Sequence, residues 1–457
     1  MTVEVEALKS LLGGADQVKT GPSAIDEHGR DMTYHPLAEP EAVVFPQSTE
    51  DVAEVVKWAV GTATPIVPYG VGSSLEGHIL PVEGGISVDF AEMNQVIDIR
   101  PDDFMVKVQP GVTRHQLNQS LKRYGLFFPV DPGADASLGG MAATNASGTN
   151  TVCYGGMRQN TLALKVVMAD GRVIDVGSEA LKTSAGYDLK DLIIGSEGTL
   201  GVITELTLKL TGIPEVTKAG KAVFSSVRDA GAAAENILKA GLPVSRMELV
   251  DEYTVAAVNE HSQTDYPEAP SLFLEFAGGE QAVNEQIDFA QDIMQSENLV
   301  SMQFEADEQA RNELWRARHE AALAVVGLTP GKMLTSTDVA VPISELTEAI
   351  VTTRQLLDQH HYTQAALFGH VGDGNFHVVI GVDRDNLDEV AAYKEVNHQI
   401  VDYALSKGGT STGEHGVGIG KREYLLKEHG QGVDVMKTIK QALDPKHLLN
   451  PGKIFLD

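Results

Sequence analysis

Cysteine occurs once in 457 residues, at Cys153, so the chain can form no internal disulfide and no thiolate cluster for a metal. Basic residues are also scarce: 35 Lys plus Arg against 64 Asp plus Glu give a formal net charge of −29. That field disfavours nucleic acid and anionic membranes as partners, and it obliges an anionic substrate to find a local basic pocket. No run of about 20 apolar residues occurs, so no membrane-spanning helix is expected. The opening MTVEVEALKSLLGGAD lacks the apolar stretch of a signal peptide. These absences point to a reducing cytoplasm, peripheral to a membrane at most. What remains is an ordinary globular composition, 42% apolar and 22% charged, in a chain long enough for two or three domains.

Local patterns divide the chain. STEDVAEVVKWAV opens with a capping-box-like Ser48 and Asp51 and sets Val52, Val55, Val56 and Ala59 on one helical stripe. PIVPYG reads as a strand ending in a glycine loop. GISVDF alternates Ile86, Val88 and Phe90 against Ser87 and Asp89, and FMVKVQPG repeats the period through Phe104, Val106 and Val108. ALKVVMADGRVIDV predicts a hairpin around Asp170-Gly171, and GVITELTLKL alternates through Leu206, Leu208 and Leu210. Beyond about 213 the character changes to Ala-rich helices such as VRDAGAAAENILKAGL, an apolar strand SLFLEFAG, and long amphipathic helix through WRARHEAALAVV. Glycine-rich loops return from about 406. The expected division is 1–213, 214–405 and 406–457.

Three segments are built of small residues. VPYGVGSSLEGH places Gly70, Gly72 and Gly77 after a strand, a spacing that lets backbone N–H groups converge on an anion. It is neither GxGxxG nor a Walker loop, and read by itself it could equally be a long glycine turn. From Pro132 to Gly156 almost no large side chain occurs, and backbone laid along an extended ligand explains that better than a structureless loop. In IGSEGTLGVIT, Glu197 stands between glycines, either as an acceptor for a ribose or as a solvated turn acid.

In this order and spacing, the three segments resemble the FAD domain of the vanillyl-alcohol-oxidase and p-cresol-methylhydroxylase flavoproteins. The resemblance implies an α+β fold, with a two-part FAD-binding domain of that type and an α+β cap built on an antiparallel sheet. It implies cofactor contacts at Pro68, Gly70, Val71, Gly72, Ser73, Ser74 and Leu75 for the diphosphate loop. Pro132, Ser137, Gly140, Thr144 and Ser147 would line the tract, and Glu197, Gly198 and Ile203 the adenosine half. Some members bond flavin covalently through a histidine, and His78 adjoins the loop; the relatives considered next usually hold FAD noncovalently.

The remaining chemistry lies in GHVGDGNFH, residues 369–377, and GEHG, residues 413–416. ALFGHV and NFHVVI read as strands joined by a two-residue turn at Asp373-Gly374, which would set His370 directly opposite His377; a longer loop would shift that register. Two imidazoles need a third ligand, and Glu414 between glycines is the best candidate, making a site suited to Zn²⁺, Mn²⁺ or Fe²⁺. The alternative is a hydrogen-bonded cross-strand pair. His415, beside Glu414, is the candidate base. Arg318 in ELWRARHEAALAVV is the candidate carboxylate clamp, ahead of Lys332, because guanidinium binds carboxylates bidentately; Arg316 lies on another face.

HVGDGNFH, TGEHGVGIGKR and ALDPKHLLNPGKIF resemble the C-terminal half of the FAD-linked D-2-hydroxyacid dehydrogenases, a group spanning D-lactate and D-2-hydroxyglutarate dehydrogenases and the flavin subunit of glycolate oxidase. The resemblance implies metal ligands at His370, His377 and Glu414, a base at His415, substrate-binding cations at Arg318 and Lys332, and Asn450 near the flavin ring. Ala322 stands where dicarboxylate-specific relatives carry a threonine, and the ending SSLEGH is closer to the D-lactate enzymes that use a cytochrome. The expected activity is therefore FAD- and metal-dependent oxidation of a D-2-hydroxy acid, D-lactate foremost, with glycolate and D-2-hydroxyglutarate as rivals. The electron acceptor is open among cytochrome, quinone and electron-transfer protein, and a homodimer is compatible with the sequence. A non-haem iron oxygenase would use the two histidines and carboxylate but not the flavin-like segments. An inactive flavin-holding subunit would not need His415 or Arg318.

Overall fold

The computed structural model describes residues 4–305, 307–362 and 365–456. The chain forms two compact units. The first joins Met1–Ser147, Gly155–Ile213 and Glu414–Asp457, and the second joins Gly148–Tyr154 with Pro214–Gly413. Among the described residues no helix is long and apolar enough to cross a membrane.

In the first unit the helix Thr49–Thr62 begins where its sequence signal lies. The Ser48 side chain accepts from the Asp51 amide at 3.1 Å, and Asp51 accepts from the Gln47 amide at 2.8 Å. Its stripe of Val52, Val55, Val56 and Ala59 is buried with Ala42, Val44, Ile66, Ile86 and Val88. Those residues belong to three parallel strands, Ala42–Val44, Ile86–Asp89 and Ile66–Tyr69, with Val18–Lys19 antiparallel at one edge. Ile86–Asp89 is central and so buried on both faces, unlike the one-sided alternation expected of it. Its inward Asp89 is satisfied by His28 Nε2 at 2.9 Å and the Ala91 amide at 2.8 Å.

A second, antiparallel sheet orders Val96–Arg100, Met105–Val108, Val202–Lys209, Thr161–Val167 and Val173–Gly177. The Asp170-Gly171 hairpin forms, with Gly171 at φ +80° and Met168 N bonded to Arg172 O at 2.9 Å. Leu206, Leu208 and Leu210 are buried as the alternation requires. Phe104 departs from it: at φ +52° it closes the turn Pro101–Asp103 and is 51% exposed, so the inward face starts at Val106. The chain's end returns to the parallel sheet. Ile66 N donates to Leu448 O and Asn450 N to Ile66 O, both at 2.7 Å, which sets Asn450 beside the strand that leads into the 70–77 loop.

The second unit is built on an antiparallel sheet ordered Leu299–Glu305, Val216–Phe224, Ser271–Gly278, Arg246–Val250, Ala366–Gly369, Asn375–Val382 and Met333–Ser336. The stretch WRARHEAALAVV is not one helix. Glu308–His319 ends at Glu320 and Ala321–Gly327 starts anew, so that Ala321, Ala324 and Val325 join Leu314 and Trp315 in the core.

The two-residue turn at Asp373-Gly374 is not formed either. The first strand ends at Gly369, a 3-10 turn covers Val371–Asp373, and the second strand starts at Asn375. Asp373 N and Asn375 N both donate to His370 O, at 2.9 and 3.3 Å, and this lengthens the connection. Phe368, not His370, is therefore the partner of His377. The displacement is two residues, which preserves the face, because side chains alternate with a period of two. Gly374 holds this turn at φ +75°, and a Cβ there would meet Val341 O at 2.2 Å. Gly374→Ala is expected to destabilise the fold by roughly 1–2 kcal/mol from the left-handed backbone alone, with the overlap in addition. Urea unfolding checks this, and a loss below about 0.5 kcal/mol would show that the turn relaxes freely.

Candidate active site

In the second unit, a buried carboxylate organises the polar groups. Glu248, on the strand Arg246–Val250, is fully buried and accepts from Arg318 Nη2 at 2.5 Å and from His370 Nδ1 at 2.7 Å. Burial alone would push its carboxyl up; His370 and Arg318 outweigh that and hold it at about 2. Strand pairing sets up the contact, since Leu249 faces Gly369 and Glu248 is thereby brought to His370. His370 and His377 lie with ring centroids 5.4 Å apart at 81°. His377 directs Nδ1 to Thr337 O at 3.2 Å, with Asp338 Oδ1 at 3.6 Å. A histidine whose Nδ1 is engaged by a carboxylate or carbonyl presents Nε2 to a cation, the usual support for a metal-ligating imidazole. The pair thus fits a divalent cation.

Arg318 is only 6% exposed and stacks on Phe368, its guanidinium carbon 4.7 Å from the ring centroid. Its Nε is buried and has no acceptor among the described residues, so this N–H could serve a carboxylate. Arg316 is exposed. Lys332 is half-buried and its amine is spent on Glu389 at 2.8 Å. Asp338 is fully buried, accepting from Asn375 Nδ2 and Thr412 Oγ1, each at 2.9 Å, and Gly413 packs so tightly there that a Cβ would fall 2.0 Å from Asn375 Nδ2. Neither Glu248 nor Asp338 stands out in the sequence. The available signal is an acid inside the apolar strand RMELV.

In the first unit the glycine loop lies directly on the small-residue tract: a Cβ on Gly70 would sit 2.3 Å from Ser137 Oγ. Gly72 is left-handed at φ +72°. Ser74 Oγ and Asn450 Oδ1 are buried with no partner among the described residues, which suits a polar ligand such as FAD. Val71 is exposed, and Gly140 and Thr144 share the helix Leu138–Thr144 that follows Ser137. Pro132 is half-buried, whereas Ile203 is packed in the core of the antiparallel sheet. A Cβ on Gly198 would meet Pro68 Cγ at 2.9 Å. Ser147 Oγ donates to Glu414 Oε2 at 2.9 Å, and His415 Nε2 lies 3.9 Å from Glu414 Oε1. Glu197 accepts from the amides of Val417 and Gly418 at 2.6 and 2.8 Å and sits 3.4 Å from His78 Nε2. Burial would raise the Glu197 carboxyl, but His78 and those amides hold it below the usual range.

Removing one member of the buried trio exposes its worth. Glu248→Ala leaves Arg318 as an uncompensated buried cation and His370 without its orienting acceptor. The expected loss is roughly 3–5 kcal/mol in equilibrium unfolding, and a loss under about 1 kcal/mol would show that water replaces the carboxylate.

Residues 40–177 match an FAD binding domain, and residues 213–454 match the FAD linked oxidases, C-terminal domain. A probable mitochondrial D-lactate dehydrogenase of Danio rerio is 44% identical over 98% of this chain and 91% of its own. A mitochondrial D-lactate dehydrogenase [cytochrome] of Arabidopsis thaliana is 42% identical over 98% of this chain and 79% of its own. The fold is that of p-cresol methylhydroxylase, whose crystal structure superposes with a TM-score of 0.78 at 18% identity, covering 99% of this chain and 96% of that one. The expectation of a cytoplasmic location is overturned, because these relatives are named as mitochondrial. With one family domain matching more than half of the chain and relatives this similar along nearly all of it, the chain belongs to the FAD-linked oxidases.

Proposed function

We propose that this protein oxidises a D-2-hydroxy acid, D-lactate foremost, to the 2-oxo acid, using FAD and a divalent cation. The observation that carries the reading is the pair His370 and His377, each with Nδ1 engaged, beside a buried Arg318 whose Nε–H has no acceptor among the described residues. Arg318 takes the substrate carboxylate by charge-assisted hydrogen bonds and so orients the α-carbon. Lys332, committed to Glu389, is secondary in this role. His370 and His377, with Glu414 as the third ligand the resemblance implies, would hold Zn²⁺, Mn²⁺ or Fe²⁺, and such a cation would make the substrate hydroxyl more acidic. His415 accepts the hydroxyl proton. The 70–75 loop, the 132–147 tract and Asn450 would hold FAD noncovalently, and the flavin would supply the two-electron acceptor. Noncovalent binding accords with His78 lying against Glu197. A cytochrome, the acceptor in the name of the Arabidopsis relative, is the first candidate for reoxidation.

Anaerobic addition of D-lactate, L-lactate, glycolate and D-2-hydroxyglutarate, followed by flavin absorbance, tests the substrate. D-lactate is expected to bleach the flavin fastest and L-lactate least. Faster reduction by glycolate or D-2-hydroxyglutarate would move the assignment to that acid, and bleaching that survives exhaustive chelation would remove the metal. His415→Asn is expected to retain flavin and metal while the rate of reduction falls about 10²–10⁴-fold. An unchanged rate would eliminate His415 as the base.

A further inference from the structure

Glu197 resembles a cofactor ligand in sequence, but its surroundings in the first unit are made of protein. The residue is 5% exposed and left-handed at φ +56°, a conformation that costs a side chain-bearing residue about 1 kcal/mol or more and persists only where neighbours fix it. Its amide donates to Ala143 O at 2.8 Å, and its carbonyl accepts from Asn450 Nδ2 at 2.8 Å. The other hydrogen of that Asn450 amide group goes to His78 O at 3.0 Å, and Asn450 is itself left-handed at φ +41°.

Both carboxylate oxygens then serve one loop. Oε1 accepts from Val417 N and Oε2 from Gly418 N. Between them and the candidate base, Gly416 at φ +80° lies so close that a Cβ would fall 2.7 Å from both Glu197 Oε1 and His78 Nε2. The loop continues under restraint, since Ile419 N donates to Glu76 O at 2.8 Å and a Cβ on Gly418 would meet that same oxygen at 2.0 Å. A carboxylate accepting two successive amides fixes the peptide planes of residues 416 and 417, and those planes determine how the chain arrives from Glu414 and His415.

We propose that Glu197 is a positioning residue, which with His78 and Asn450 clamps the 416–418 backbone and thereby sets the geometry of Glu414 and His415. The catalytic consequence rests on His415 being the base; the clamp itself does not.

Hydrogen–deuterium exchange of the full-length flavoprotein, read by mass spectrometry, separates the two. In Glu197→Ala the peptide covering 416–418 is expected to exchange about tenfold faster or more, with full flavin content retained. Glu197→Gln keeps one carbonyl acceptor and is expected to lie between wild type and Glu197→Ala, which also preserves the test if the alanine variant folds poorly. Flavin reduction by D-lactate should slow about 100-fold in Glu197→Ala with KM within about twofold of wild type, as expected when a base is displaced while substrate binding is kept. Unchanged exchange at 416–418, or departure of flavin with the loop still protected, would overturn the clamp. If wild-type flavin is not reduced by D-lactate while the exchange result holds, the functional reading fails and the clamp stands.

Discussion

A carboxylate with no exposure to water can exist only where its charge is met, and Glu248 meets it with Arg318 on one oxygen and His370 on the other. The desolvation of such a group costs several kcal/mol, so the three side chains stand or fall together. That requirement fixes more than the trio. It ties the strand Arg246–Val250 to the end of Ala366–Gly369 and to the helix Glu308–His319, and it dictates which nitrogen His370 turns outward. Phe368 completes the arrangement, lying under the Arg318 guanidinium while pairing in register with His377. The orientation of His370 and of Arg318 is therefore a consequence of charge compensation in the core.

The first unit uses the same device on backbone instead of side chains. Glu197, buried and held below the usual carboxylate range, gives its two oxygens to consecutive amides, and glycine at 416 is what lets the chain approach closely enough. The neighbouring polar atoms without partners among the described residues, Ser74 Oγ and Asn450 Oδ1, lie on the segments expected to follow the cofactor. One set of polar groups is satisfied internally, and the other could serve a ligand. Buried polar groups without partners are rare enough in folded proteins that their placement on these segments is informative.

What is legible in the sequence is local. The capped helix Thr49–Thr62 and the Asp170-Gly171 hairpin depend on residues a few positions apart, and both form as their patterns imply. The register of His370 and His377 follows from an assumed two-residue turn and is displaced by two in the fold, because the His370 carbonyl captures two amides and builds a 3-10 turn. The imidazoles are neighbours all the same, since an even displacement keeps the face. Period alone puts Phe104 on an inward face, and period carries no information about the left-handed turn closure that exposes it. Glu248 is invisible because its partners are 70 and 122 residues away in sequence, and a single acid in an apolar strand resembles a solvent-facing position. The cytoplasmic expectation fails because low cysteine and an acidic N-terminus do not distinguish one reducing compartment from another.

Net charge sharpens the choice of Arg318 over Lys332. At −29 the protein's field repels an anionic substrate, so recognition must come from a short-range contact at the site. A lysine beside a buried glutamate would be neutralised by it as a point charge, and Lys332 is in fact consumed by Glu389. A guanidinium presents several donors in a fixed plane, so it can satisfy Glu248 through Nη2 and still carry an Nε–H with no acceptor among the described residues. In the proposed function, the internal ion pair would leave the Nε–H of this arginine to the substrate carboxylate. It holds the fork still, stacked on Phe368, with the Nε–H already oriented.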